Sequence, residues 1–257
     1  MADAQSKRLA ANLHVGTMGW SYGFWKGGFY PSDSASKNFL TFYSKQFGSV
    51  EADTTFYRIP SEQTITDWKQ QTPEGFKFSL KFPQKITHIK MLKDSQEETA
   101  VFLNRVSLLG EKLGVLLLQF SPMFRQQHLP QLAAYLKTLP KEFRYAVEVR
   151  NKTLLTPELY GVLRDSNVAL VWVDAAKMPL VEEETADFLY VRWEGNRKTV
   201  TGTLGELEVD RSKDTQAWAK RLQPFLKRGT EVFGYFSKYY SGFPPLDVKT
   251  LLSQVEG

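Results

Sequence analysis

The chain has 257 residues, 42% of them hydrophobic and 24% charged, which suits a globular protein able to bury a full core. It has no cysteine, which excludes disulfides, thiolate catalysis, zinc–thiolate and iron–sulfur sites, and its three histidines (His14, His88, His128) are too few for an imidazole-rich metal cluster. The formal net charge of +5 favours an anionic partner only mildly, because a dispersed excess of this size also serves solubility.

Residues 1–12 read as an N-terminal extension without the apolar core of a signal peptide. No apolar run approaches the ~18 residues of a membrane span, so a cytoplasmic protein without membrane contact is expected. The first strand-like run is 13–17. The glycine-rich GWSYGFWKGG after it has neither P-loop nor dinucleotide spacing. Segment 36–47 carries Phe39, Leu40, Tyr43 and Phe47 on one stripe and predicts a helix. Run 48–53 holds Glu51 and Asp53, and run 76–82 ends near Lys81. A helical stripe over 95–112 (Val101, Phe102, Val106, Leu108, Leu109) leads to run 114–120 with Gln119. Run 144–150 carries Glu148 and Arg150. Thr156 and Pro157 then read as an N-cap followed by proline in the first helical turn. Run 168–174 ends on Asp174, and run 187–193 carries Arg192 and Trp193. A long connection over 194–210 follows, a lid or binding loop or else a solvated insertion. A helix over 214–228, a last strand over 231–236 and a short helix near 245–254 complete the pattern.

Eight strands alternating with helices predict parallel pairing, and in about 250 residues a closed (β/α)8 TIM-type barrel fits better than an open sheet. No linker or repeat divides the chain, so 13–257 is expected to be one α/β domain. Many of the apolar runs end on a charged or amide residue, and unpaired buried charge costs several kcal/mol. Polar tips gathered at the carboxyl ends of barrel strands are where such folds build sites.

Several motifs resemble the domain-of-unknown-function 72 (YecE-like) family. They are GTMGWSYGFWKGGFYP (16–31), VEADTTFYRIP (50–60), Thr87-His88, LLQF (117–120), AVEVR (146–150) and YVRWEG (190–195). The resemblance runs from about Val15 to Leu251 and implies a TIM-type barrel, with no established activity. Three positions depart from the family pattern as we read it. Asn151 stands where a histidine is frequent, Glu194-Gly195 where His-Gly is typical, and Ser237-Lys238 where paired asparagines are common. Glu194 and Lys238 could form a replacement charge pair.

Glu51 and Glu148 are the candidate proton-transfer pair, with Lys81 and His88 as further candidate catalytic groups. A lysine flanked by arginines suits imine formation, proton abstraction or anion binding. Arg150 and Arg192 beside Lys81 suggest an anion clamp. The alternative for each carboxylate is a structural salt bridge. Trp20, Tyr22, Trp25, Phe56, Tyr57 and Trp193 are candidate stacking surfaces, and Asp53, Thr54, Gln119, Asp174 and Lys238 complete the candidate binding set. Trp25 could equally be core. No resident cofactor is expected, although Glu51, Glu148 and Asp174 leave a divalent metal open.

The functional expectation is an enzyme working by acid/base chemistry on an anionic substrate, sugar-phosphate-like or nucleotide-like. A nucleic-acid-processing or nucleic-acid-binding protein is the first alternative, and a non-catalytic ligand-binding protein the second. The oligomeric state is open.

Overall fold

The computed structural model describes residues 12–256, so the expected extension over 1–12 falls, except for its last residue, outside them. Strands β1 (Leu13–Thr17), β2 (Ser49–Ala52), β3 (Lys77–Lys81), β4 (Leu113–Gln119), β5 (Arg144–Glu148), β6 (Ala169–Ala175), β7 (Phe188–Gly195) and β8 (Glu231–Phe236) form one parallel sheet. Each expected strand is present. Helices α1 (Phe39–Tyr43), α2 (Glu62–Gln71), α3 (Gln96–Val106), α4 (Leu129–Thr138), α5 (Pro157–Asp165), α6 (Ser212–Lys227), α7 (Lys238–Ser241) and α8 (Pro244–Glu256) connect or follow them. Two expected helices are shorter than their apolar stripes. The first stripe yields a 3-10 turn and then α1, and the second gives way to a 3-10 segment after Val106. Thr156 caps α5 as expected, its hydroxyl accepting from Leu159 N at 3.4 Å.

Period-two alternation divides the buried side chains into two shells. Val115, Leu117, Ala146, Val171, Val173, Phe188, Tyr190, Phe233 and Tyr235 fill the barrel interior. Their neighbours along the strands, among them Leu116, Val147, Trp172, Leu189, Val191 and Trp193, pack into the larger core outside the sheet. Purely apolar strands would leave both shells greasy. Here the Tyr235 hydroxyl lies 2.7 Å from Ser49 Oγ and 2.8 Å from Ser79 Oγ, a polar tie across the interior.

The sheet closes between β1 and β2 by an unusual seam. One bridge joins Met18 to Glu51, and Gly19 N donates to Glu51 O at 2.8 Å. Below it the buried Tyr43 hydroxyl stands between the strands, accepting from Thr17 N at 2.8 Å and donating to Ser49 O at 3.0 Å. A phenol therefore supplies what a backbone ladder supplies elsewhere.

At the amino ends, His14 Nε2 meets Glu231 at 3.0 Å, Arg144 pairs with the same carboxylate, and the His14 ring stacks on Phe233. Burial lowers the His14 pKa, outweighing the pull of Glu231, with Lys77 and Arg144 adding to the lowering. The fold therefore favours neutral imidazole. That stability is fully present above the unfolded value near 6.5 and is lost as pH falls through the lowered folded pKa. Thermal melting should drop on acidification below about pH 6.5, and His14→Phe, which keeps the stacking, should flatten that part of the profile. An unchanged profile in the variant would assign the acid sensitivity elsewhere.

Candidate functional site

Residue alternation places Glu51, Lys81, Gln119, Glu148, Arg192 and Glu194 on the inward side of their strands at the carboxyl end. Arg192 is the hub. Its Nε donates to Glu51 Oε2 at 3.0 Å and its Nη2 to Glu51 Oε1 at 2.8 Å. Its Nη1 reaches Glu148 and also Glu194 Oε1, the latter at 2.5 Å. The Tyr190 hydroxyl donates to Glu51 Oε2 at 2.7 Å. Glu148 Oε1 also accepts from Gln119 at 2.8 Å and from Arg150 Nε at 2.7 Å, and Arg150 Nη2 donates to Glu194 Oε1 at 2.7 Å.

Glu51 is 0% exposed and Glu148 1%, so these charges survive only because they are paired. Burial alone would raise the Glu148 pKa, but Arg192 and Arg150 outweigh it and hold the carboxyl well below its usual range. Burial would likewise weaken the charge on Arg192, and Glu148, Glu51 and Glu194 reverse that.

Above this cluster lies a polar cavity of about 400 Å³. Five cationic side chains line it (Lys81, Arg150, Arg192, Arg197, Lys238) against two acidic ones (Asp53, Glu194). Lys81 differs from the arginines. Among the described residues no carboxylate oxygen lies within 4 Å of its amine, which instead sits 3.9 Å from the centre of the Phe56 ring. Burial, followed by the charge of Arg192, pushes its pKa down to about 8. The carboxyl of Asp53 is raised by burial, against the opposing pull of Lys81 and Arg192. Beside this cavity, sharing Arg150, Glu194 and Arg197, lies a second one of about 350 Å³ whose lining adds Glu148, Val173, Ala175 and Met178.

The structure thus brings together Tyr22, Asp53, Phe56, Tyr57, Lys81, Gln119, Arg150, Arg192 and Lys238 around one cavity, with Glu51 and Glu148 beneath it. Other expectations are corrected. Trp25 is fully buried among Tyr22, Phe29 and Tyr30, Trp20 packs on Trp68 and Phe78, and Trp193 stacks on Phe236 outside the barrel. None of these three indoles lines the cavity. Asp174 has outward parity and accepts from Trp218 Nε1 of α6 at 2.8 Å, so it cannot join Glu51 and Glu148 around a metal. No group of three or more His, Asp or Glu suited to a metal occurs among the described residues. Thr54 is exposed on the turn after β2 and does not line the cavity. His88 reaches the site only through the Phe56 ring, 4.9 Å away, and bonds Thr87 at 2.9 Å. Arg192 is no open clamp, because its five donors are taken up by Glu51, Glu148, Glu194 and Met18 Sδ.

Glu194 pairs with Arg192, Arg150 and, at 3.6 Å, Arg197, not with Lys238. The Lys238 amine instead lies 5.1–5.7 Å from the ring centres of Tyr239, Phe24 and Tyr22. Tyr190, Arg197 and Ser237 are site residues beyond the sequence expectations. Tyr190 carried a signal, since it shares the period-two register of Arg192 and Glu194 in FLYVRWEG. The connection after β7 is anchored along its length. Glu208 N and Val209 N donate to Ser241 O at 2.8 and 3.0 Å, and a Cβ at Gly205 would meet Phe24 O at 1.9 Å. No described helix is long and apolar enough to cross a membrane.

Residues 14–257 match the family model described as "Protein of unknown function DUF72". The chain is 34% identical over 139 residues to the UPF0759 protein YecE of Escherichia coli K12, covering 54% of this chain and 48% of that protein. It is 31% identical over 157 residues to the UPF0759 protein YunF of Bacillus subtilis, covering 58% and 54%. The chain thus spans about half the length of the curated relatives it matches. A crystal structure of a DUF72 family protein from Thermotoga maritima superposes with a TM-score of 0.83 at 26% identity, over 95% of this chain and 99% of that one. An Enterococcus faecalis family member, at 20% identity and a TM-score of 0.71 over 95% of each chain, shares the fold.

Proposed function

The chain belongs to the DUF72 family, whose description carries no activity, and from its own cavity we propose that it is an enzyme binding a small anionic molecule and moving protons there with Lys81 and Asp53. The observation that carries this reading is the Lys81 amine, desolvated in a cavity and left without a carboxylate while the neighbouring carboxylates are held by arginines. Glu51 and Glu148, fixed beneath the cavity by Arg192, act as scaffold. Lys81 and Asp53 have pKa values displaced toward the working range, one downward and one upward, as suits an acid and a base operating near neutrality. Lys238 and the exposed edges of Arg150 and Arg197 supply the charge that holds the anion.

The test is ligand-induced thermal stabilisation with inorganic phosphate and phosphorylated sugars, against uncharged sugars and short oligonucleotides. A ligand at ~100 times its Kd stabilises by about 2.7 kcal/mol. Lys81→Met and Lys238→Met should each weaken binding by about tenfold to a hundredfold, the worth of a charge-assisted hydrogen bond. Response to none of the phosphates would overturn the reading. Response to oligonucleotides alone, fading steeply with salt, would replace it with nucleic-acid binding.

A further inference from the structure

We propose that Lys81 is a nucleophile that forms an imine with the carbonyl carbon of a small anionic aldehyde or ketone bound in the polar cavity. This rests on the anion-binding reading above and adds the reaction class.

The charges around Lys81 are distributed selectively. A lysine among three glutamates would ordinarily be absorbed into a salt bridge and lose its lone pair to protonation. Here two arginines, which do not deprotonate in proteins, take those carboxylates first. Glu51 is filled by Arg192 and Tyr190, Glu148 by Arg192, Arg150 and Gln119, and Glu194 by Arg192 and Arg150. The amine remains unpaired among the described residues, held over the face of Phe56. Its backbone is fixed as well, with the Thr55 hydroxyl 2.6 Å from Lys81 O. A reactive amine needs this combination of a rigid base, an accessible lone pair and no acidic partner.

The largest influences on the amine are burial and four charged neighbours. Arg192 from β7 and Arg150 after β5 disfavour its protonation, Glu148 and Glu51 favour it, and burial exceeds each of these. Asp53 and His88 also feel the charge of Lys81. With its pKa pushed down to about 8, Lys81 carries a far larger neutral fraction near neutrality than an ordinary lysine with pKa near 10.4.

The step balances without an oxidant or metal. The nitrogen lone pair forms the C–N bond, the carbonyl π-electrons move to oxygen, and that oxygen takes up the proton that the attacking nitrogen gives up. The carbinolamine then expels its hydroxyl as water, with the proton supplied by the Asp53 carboxyl, leaving a protonated imine on Lys81. Hydrolysis reverses each step. The cation receives electrons from the adjacent carbon, which suits reactions that make or break a bond there. The anionic group of the substrate rests against Lys238 and Arg197, which line the same cavity.

The test is reductive trapping of the full chain with dihydroxyacetone phosphate, and separately with pyruvate, in the presence of cyanoborohydride, followed by peptide mapping. Labelling of Lys81 should exceed that of the exposed Lys37 and Lys45 by at least about tenfold and should rise from pH 6.5 to pH 8, following its neutral fraction. Lys81→Arg should abolish this label, and phosphate binding by the parent chain is measured in parallel. Labelling that merely follows exposure, in a protein that binds phosphate, would overturn the imine and leave the anion-binding reading standing. Failure of both trapping and phosphate binding would overturn both.

Discussion

Arg192→Met should lower stability by about 3–5 kcal/mol, the usual consequence of stranding buried charge, out of the 5–15 kcal/mol that a domain typically has. The guanidinium ties β7 to Glu51 on β2 and to Glu148 on β5, and all three side chains are buried. Methionine restores much of the volume but none of the five donors. Combining Arg192→Met with Glu51→Gln should recover part of the loss, because the amide needs no counter-charge and can still meet Tyr190. The same substitution removes the cation that most depresses the Lys81 pKa, so the pH midpoint for labelling Lys81 should move upward. Chemical denaturation of the single and double variants decides the point. An Arg192→Met protein within about 1 kcal/mol of the parent would mean that the cluster is only loosely desolvated.

Gly16→Ala should cost about 3 kcal/mol, the upper part of the usual range for overpacking, and lower the melting temperature by about 6–12 °C. A Cβ there would stand 1.9 Å from Ser49 O and 2.8 Å from the Tyr43 hydroxyl. The first obstacle is backbone, which cannot rotate away, so β1 and β2 would have to separate. That would break the Met18–Glu51 bridge and the bond from Gly19 N, and would carry Glu51 away from Arg192. Stability and ligand binding should therefore fall together. A Gly16→Ala protein that melts like the parent would show that the seam has slack.

Alternation and strand-tip chemistry were legible in the chain before any contact was known. Phe188, Tyr190, Arg192 and Glu194 share one parity in FLYVRWEG, and Val171 and Val173 share another that already turns Asp174 outward. That parity, and not position at a strand tip, turns Asp174 and Trp193 away from the cavity. The aromatics after β1 are separated by another effect. Trp20, Tyr22 and Trp25 belong to one motif, yet only the ring of Tyr22 reaches the cavity. A short 3-10 turn (Gly23–Trp25) folds the last of them into the core, and local sequence does not specify that rotation.

By itself, the sequence determined eight parallel strands, a barrel and the end of it where charge gathers, because hydrophobic period and strand-tip polarity are local properties of the chain. Only the tertiary structure decided who pairs with whom. Glu51, Glu148 and Glu194 lie on three strands, and their competition for Arg192 and Arg150 depends on distances across the barrel. That competition takes the carboxylates and leaves Lys81 unpaired among the described residues, because a charged pair forms by proximity in space and not by spacing along the chain.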